Sequence, residues 1–288
     1  MYRKLSVILE DIKFEHTLFA LPFALMSAFI AAGGIPLLDK LFWILVAMGG
    51  ARSAAMSFNR VVDAKFDKVN IRTRNWAIPS GKLKKSQYTI FIFISILIFE
   101  LACFNLNTLA FYLSPLALFI LFFYSFTKRF TIFSHFFLGL ALGIAPVGAW
   151  IAIREEISLA SLIIGLSVLL WTAGFDIIYA CQDVEFDKEQ KLFSFPERFG
   201  ISFSLRFSYF LHMIVIITLA LLIFIADLRH IYLVGWLMIS LLLIYEHRII
   251  KPSDLSRVNT AFFTINGAVS LFLMFFTLFD ILYGRFFI

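Results

Sequence analysis

Five carboxylates and an amide are spaced so that they could gather cations. Asn59, Asp63 and Asp67 fall at i, i+4 and i+8, and Asp183 and Asp187 repeat the last interval 120 residues later. The two phrases read Asp63-Ala-Lys-Phe-Asp67-Lys68 and Asp183-Val-Glu-Phe-Asp187-Lys188. Tyr179 takes the place of Asn59 in the second copy, and Asp176 lies about one helical turn before it. On a helix this spacing stacks the side chains on one face. Like charges so placed repel by a few tenths of a kcal/mol. Near membrane depth an ionisable group costs more, and it faces a cavity or a partner. Divalent cations would offset both penalties. Oxygen ligands without His or Cys favour Mg2+ or Ca2+ over zinc. Mg2+ fills the rest of its shell with water and substrate phosphate oxygens. Two facing clusters would therefore hold a diphosphate between bound metals. A lone D-x-x-x-D is more often a solvated helix end, but a doubled one at equivalent ends of two apolar segments has a context that supports a site. Basic loops with a Pro and a Gly follow each copy: Arg72, Arg74, Pro79, Gly81 and Lys82, then Lys188, Lys191, Pro196, Arg198 and Gly200. Lys and Arg are natural diphosphate partners, although Lys84, Lys85 and Lys191 read more simply as topology signals.

The elements that must position these residues lie in a membrane. Apolar residues make up 61% of the chain and charged residues 15%, and the mean hydropathy is +0.91. A soluble domain carries roughly 45–50% and about 25%. Apolar stretches of helical spanning length predict an all-α polytopic membrane protein. Nine spans are expected, near 15–33, 40–62, 87–105, 108–126, 132–152, 157–182, 204–226, 230–246 and 260–283. The first is too long for a signal-peptide h-region and lacks a small-residue cleavage site, so it counts as a span. Connections are short, so residues 1–288 form a single membrane domain, with pseudo-repeats over roughly 15–130 and 131–250. The motifs end spans two and six, an even offset that makes the repeat parallel. Lys and Arg crowd the N-terminus (Arg3, Lys4, Lys13) and the loops after spans two, four, six and eight. The positive-inside rule puts the N-terminus and both motifs on the cytoplasmic side of a bacterial-type inner membrane, and the C-terminus outside. The net charge of +6 thus reads as topology, and neither nucleic acid nor an obligatory protein partner is expected. Leu5 to Phe14 could form a short interfacial helix before the first span.

The remaining chemistry-bearing residues read quietly. Cys103 and Cys181 would lie near opposite faces and act as small core residues. His16, His135, His212, His230 and His247 form no close pair in sequence, so a zinc site has little support. The 37 phenylalanines are packing and lipid-facing surface.

The segment Asn59 to Gly81, with N-x-x-x-D-x-x-x-D, R-T and P-x-G, resembles the first signature of the UbiA superfamily of intramembrane prenyltransferases. Asp176 to Gly200, with Y-A-x-Q-D-x-x-x-D and S-x-P-x-x-x-G, resembles the second. Tyr124-Ser-Phe-Thr-Lys128-Arg129-Phe-Thr131 is similar to a short basic motif of the 4-hydroxybenzoate branch. The resemblance covers nearly the whole chain. It implies Mg2+-dependent transfer of an isoprenoid from a polyprenyl diphosphate to an aromatic acid, in respiratory quinone synthesis. Asn59, Asp63, Asp67, Asp183 and Asp187 would hold Mg2+ and the diphosphate. Lys68, Arg72 and Lys128 would contact the diphosphate. Arg129, with Arg60, would face the acceptor carboxylate. Tyr124 and Tyr179 would line the site near the allylic carbon, and Asp183 or Asp176 would orient or deprotonate the acceptor hydroxyl.

Two departures bear on the acceptor. Arg60 stands where many members have Asp, and Trp76 where many have Arg, with Arg74 as the candidate replacement. Arg60 also fits a branch associated with menaquinone formation by the futalosine route. Arg129 suits either 4-hydroxybenzoate or a naphthoate. The competing class is a cation-coupled transporter. Transporter sites usually sit at the bilayer midplane on broken helices, often in inverted repeats. Both acid clusters here fall at span ends instead. Gly139, Gly143, Pro146 and Gly148 in span five read as close packing with a proline kink.

Overall fold

The computed structural model describes residues 2–12 and 19–287, with side chains from Leu5 to Ile12 and Phe19 to Gly284. Lys13, Phe14, His16 and the start of the first expected span lie outside the described residues, as do the side chains of Arg3, Lys4 and Arg285. The chain folds into helices α1 Tyr2–Asp11, α2 Leu21–Ala32, α3 Leu38–Val69, α4 Lys85–Leu106, α5 Thr108–Thr127, α6 Ser134–Arg154 and α7 Leu159–Ala180. A 3-10 turn, Cys181–Asp183, leads to α8 Val184–Gln190 and α9 Phe195–Phe199, followed by α10 Ile201–Ile225, α11 His230–Ile249 and α12 Asn266–Phe287. A π-helical turn, Thr260–Ile265, enters α12. Among the described residues there is no strand beyond an isolated bridge between Lys251 and Asp254.

Eight helical segments among the described residues are long and apolar enough to cross a bilayer, and α2 is a shorter apolar helix of 12 residues. This all-α, multi-pass architecture matches the expectation closely. In hydrocarbon a chain must satisfy its own backbone polar groups, which helices do internally. Large apolar side chains such as Phe93, Leu97, Phe119 and Phe224 point outward, toward a lipid solvent. The helix ends are fixed locally. Asn107 caps α5 by accepting from the Ala110 N–H at 2.8 Å. Its amide donates to the Ile151 carbonyl at 2.7 Å, pinning the α4–α5 turn to α6.

The helices close a ring: α3 packs on α4 and α5, α6 on α5 and α7, α7 on α10, α10 on α11, α11 on α12, and α12 on α2, which returns to α6. The α6–α7 contact is backbone against backbone. A Cβ at Gly139 would lie 2.3 Å from the Leu169 carbonyl oxygen, so the close-packing reading of that glycine holds. Gly148 differs, since its missing Cβ faces open space. The apolar core gathers on Trp171, which is 1% exposed among Phe19, Phe23 and Phe175.

Two expectations give way. The second acid phrase does not continue its helix: α7 stops at Ala180 and the 3-10 turn tightens the path before α8. Asp183 and Asp187 therefore do not repeat the straight ladder of Asn59, Asp63 and Asp67 on α3. The histidines do form a close pair, for His247 and His212 place ring nitrogens 2.9 Å apart. They are 35 positions apart on different helices, so spacing along the chain could not show it.

Candidate active site

α3 runs past its expected end at 62 to Val69, so Asn59, Asp63 and Asp67 ride one unbroken helix. Asp63 is 3% exposed and holds several donors. Asn59 Nδ2 donates to Oδ2 at 2.9 Å. Lys128 Nζ lies 3.1 Å from Oδ2, and Arg129 Nη2 lies 3.1 Å from Oδ1. Both bases come from the turn that follows α5. The two acid phrases face one cavity, and Arg72, in the loop after α3, reaches across to pair with Asp183. The loop after α8 is tied to the same corner by a hydrogen bond from the Phe193 N–H to the Lys128 carbonyl at 2.8 Å.

Asn59, Asp63, Lys128 and Asp183 stand at one end of a cavity of about 510 Å³. Asn59, Asp63, Lys128, Asp176, Asp183, Asp187, Tyr124 and Tyr179 line it, with Arg52 and His135. Its other walls are largely apolar: small at Ala47, Ala51, Ala110, Ala145, Gly148 and Ala149, larger at Met48, Phe99, Leu121 and Leu142, with Leu106, Leu113 and Ile151 at the far end. Along α3 the lining extends from Ile44 to Asp63, which at 1.5 Å per residue is roughly 28 Å, close to the bilayer's apolar thickness.

Two lining residues carried no signal in the sequence. His135 is 3% exposed; its Nδ1 lies 2.6 Å from Asp176 Oδ2, and its Nε2 accepts from the Phe195 N–H at 3.3 Å. Arg52 sits two turns before Asn59 on α3, too far from the acid ladder to be read with it.

Five expected contacts lie off the cavity lining: Asp67 is buried one turn beyond Asp63 on α3, Arg72 is joined to the lining through Asp183, and three more fall elsewhere. Arg60 turns away from the cavity. Its guanidinium stacks 3.4 Å from the Trp76 ring centroid, donates to the Asp11 carbonyl at 3.0 Å and pairs with the Asp11 carboxylate at 3.6 Å. It is 5% exposed. Lys68 is exposed and outside the cavity lining. Arg129 stands behind Asp63 rather than on the lining.

The donor set suits a hard divalent cation. The acids supply only oxygen, and Asp67 Oδ2 is buried without a hydrogen-bond partner, as a ligand oxygen awaiting a cation would be. The outcome is a polytopic helical membrane protein built around a deep cavity, anionic at one end and apolar along its length. Residues 20–277 match the UbiA prenyltransferase family. The chain belongs to that family and is a membrane prenyltransferase; the transporter alternative is thereby set aside.

Among its relatives, the 4-hydroxybenzoate octaprenyltransferase of Vesicomyosocius okutanii subsp. Calyptogena okutanii (strain HA) is 30% identical over 239 residues, covering 80% of this chain and 84% of that one. The enzyme of the same name from Francisella tularensis subsp. novicida (strain U112) is 28% identical, covering 83% and 84%. Of solved structures, the apo UbiA homolog from Aeropyrum pernix K1 superposes with a TM-score of 0.84 at 29% identity, covering 93% of this chain and 98% of that one. The UbiA homolog from Archaeoglobus fulgidus, bound to GPP and Mg2+, shares the fold at a TM-score of 0.67 and 19% identity, covering 94% and 99%.

Proposed function

We propose that the protein transfers a polyprenyl chain from polyprenyl diphosphate to an aromatic acid of the 4-hydroxybenzoate type, with Mg2+, in respiratory quinone synthesis. The observation that carries this is the cavity's polarity: carboxylates and bases at one end, mostly apolar side chains along the rest. A polyprenyl diphosphate has the same two-part chemistry. The names of the relatives and the ligands of the Archaeoglobus homolog support the same reading.

Asn59, Asp63 and Asp67 would hold one Mg2+, and Asp183 and Asp187 another. When bound, Mg2+ supplies Lewis-acid neutralisation of the departing diphosphate. Lys128 and Arg72 already stand on Asp63 and Asp183, where they can swing from carboxylate to diphosphate oxygens. Cleavage of the allylic C–O bond leaves a cation facing Tyr124 and Tyr179. Tyr179 is braced by Phe262, with ring centroids 4.3 Å apart. Aromatic faces stabilise such a cation, and the apolar walls keep water from quenching it. The acceptor hydroxyl meets Asp176, whose bond to His135 orients it as a base. The acceptor carboxylate falls to Arg52, the guanidinium that lines the cavity, rather than to Arg60 or Arg129.

The test is direct. Purified protein with Mg2+, a polyprenyl diphosphate and labelled 4-hydroxybenzoate should form a lipid-soluble product, with a naphthoate run in parallel to decide the acceptor. Arg52→Lys should raise the acceptor KM more than Arg129→Lys does. Turnover that persists in EDTA, or in the Asp63→Ala, Asp183→Ala double variant, overturns the metal site.

A further inference from the structure

Three ligand side chains meet away from the catalytic cavity, between α10 and α11. His212 and Glu246 are fully buried at 0% exposed, and His247 is partly so. One donor atom from each converges, all within 4.8 Å of one another. His212 Nδ1 lies 2.9 Å from His247 Nε2 and 3.3 Å from Glu246 Oε2.

With His212 neutral, the protons at this junction do not add up. His212 Nε2 is 3.2 Å from the Trp171 carbonyl, which can only accept, so that nitrogen carries the hydrogen. In a neutral ring Nδ1 is then a lone pair. It can accept from His247, but it meets the Glu246 carboxylate as lone pair against lone pair. Glu246 Oε2 is buried and has no hydrogen-bond partner. The other oxygen, Oε1, accepts from Asn266 Nδ2 at 2.7 Å. A buried, half-satisfied carboxylate is expensive, and a cation among the three atoms would satisfy all of them at once.

The dimensions fit a small tetrahedral ion. Bonds of about 2.0–2.1 Å to zinc place ligand atoms roughly 3.3 Å apart; His212 stands 2.9 and 3.3 Å from its two partners, and the third separation lies within 4.8 Å. The outer partners are also those of a metal centre, in which each ligand's far side is held by a further group. The Trp171 carbonyl holds the back of His212, and Asn266 holds Glu246. Trp171 Nε1 in turn donates to Asn266 Oδ1 at 2.7 Å. α7 makes room for the ring: a Cβ at Gly174 would lie 2.3 Å from His212 Nε2.

We propose that His212, Glu246 and His247 bind a divalent transition metal of the zinc class, with water completing the tetrahedron. Imidazole nitrogens distinguish this set from the oxygen-only acids of the cavity and select zinc over Mg2+. The ion ties α10 and α11 against the stretch of α7 that ends in Asp176 and Tyr179, so its role is to fix that helix.

Cobalt reports the geometry. The full chain, purified on a tag without histidine and stripped with chelator, should develop the visible bands of tetrahedral Co2+, saturating at one equivalent. Zn2+ should abolish them and excess Mg2+ should not. His247→Gln should remove the bands and lower retained zinc at least tenfold. Asn266→Ala should weaken zinc binding roughly 10- to 100-fold. Asp63→Asn should leave the bands intact. The proposal is overturned if wild-type protein shows no tetrahedral bands at saturating Co2+, as a merely protonated His212 would give, or if the bands vanish with Asp63→Asn. Should His247→Gln fail to fold, the wild-type spectrum and the Asp63→Asn control decide the matter unaided.

Discussion

Asp63 accepts from Asn59, Lys128 and Arg129 together, so its charge both gathers the site's bases and faces the cavity. Its two ion pairs involve bases that are about one-third exposed (36% and 34%), and such pairs contribute at most about 1 kcal/mol to folding. Asp63→Asn should therefore cost roughly 100-fold or more in turnover while leaving thermal stability in detergent nearly unchanged; a large loss of stability would make Asp63 a structural residue. Arg60 should behave in the opposite way. With its guanidinium sealed between Trp76 and Asp11, Arg60→Ala leaves the Asp11 carboxylate without its counter-charge but still accepting from the Ala77 N–H and the Tyr88 hydroxyl, so the loss should fall at the low end of the about 3–5 kcal/mol for breaking a buried pair. Thermal unfolding should register that loss, Asp11→Ala should recover part of it in the double variant, and the acceptor KM should stay put. A raised acceptor KM at normal stability would return Arg60 to the site. The two residues that depart from the family's signature are thus each other's partners, one stacked on the other. Sequence could show that both were unusual but not that they touch. The carboxylates were legible because their type and spacing repeat. Arg52, His135 and the His212–His247 pair were not, since a single residue on a long apolar helix acquires meaning only from the helix that faces it.

At the scale of the element, α3 and the α7–α8 segment show what spacing can and cannot predict. Both phrases read as helical ladders, and α3 is one. The second breaks into a 3-10 turn at Cys181–Asp183 without a Gly or Pro to announce it, so the break belongs to tertiary packing rather than to local propensity. Span existence and order followed from apolar length alone, because the bilayer leaves the backbone few alternatives. The glycines of α6 divide by environment in a way that composition hides. Gly139→Ala forces a methyl against the α7 backbone and should destabilise by about 1–3 kcal/mol, read as a lower unfolding temperature. Gly148 lines the cavity and faces open space. Gly148→Leu should fold normally, narrow the apolar channel and shift the preferred donor toward shorter prenyl diphosphates, measured by product length under competing donors. An unchanged product distribution would remove that wall from the prenyl path.

At the scale of the whole molecule, the proposed chemistry asks that the anionic end meet a membrane interface, and the distribution of bases proposes which one. Prenyl diphosphates keep their charged heads in water and their tails in lipid, so the cavity's acid end has to open at an interface. The bases around it, Arg72, Lys128 and Arg129 at the site and Lys82, Lys84 and Lys85 beyond it, lie on one side of the bundle, the side that the positive-inside rule assigns to the cytoplasm. The opposite side carries Glu155 and Glu156 beside Arg154 in the α6–α7 turn. Both native cysteines are free and buried, which gives a quiet background for labelling. Ser80, in the loop after α3, and Glu156, in the α6–α7 turn, are both exposed. In intact spheroplasts a membrane-impermeant maleimide should label Glu156→Cys and spare Ser80→Cys, and permeabilisation should expose Ser80→Cys. The reverse pattern would place the proposed diphosphate site on the outer face and overturn the positive-inside assignment.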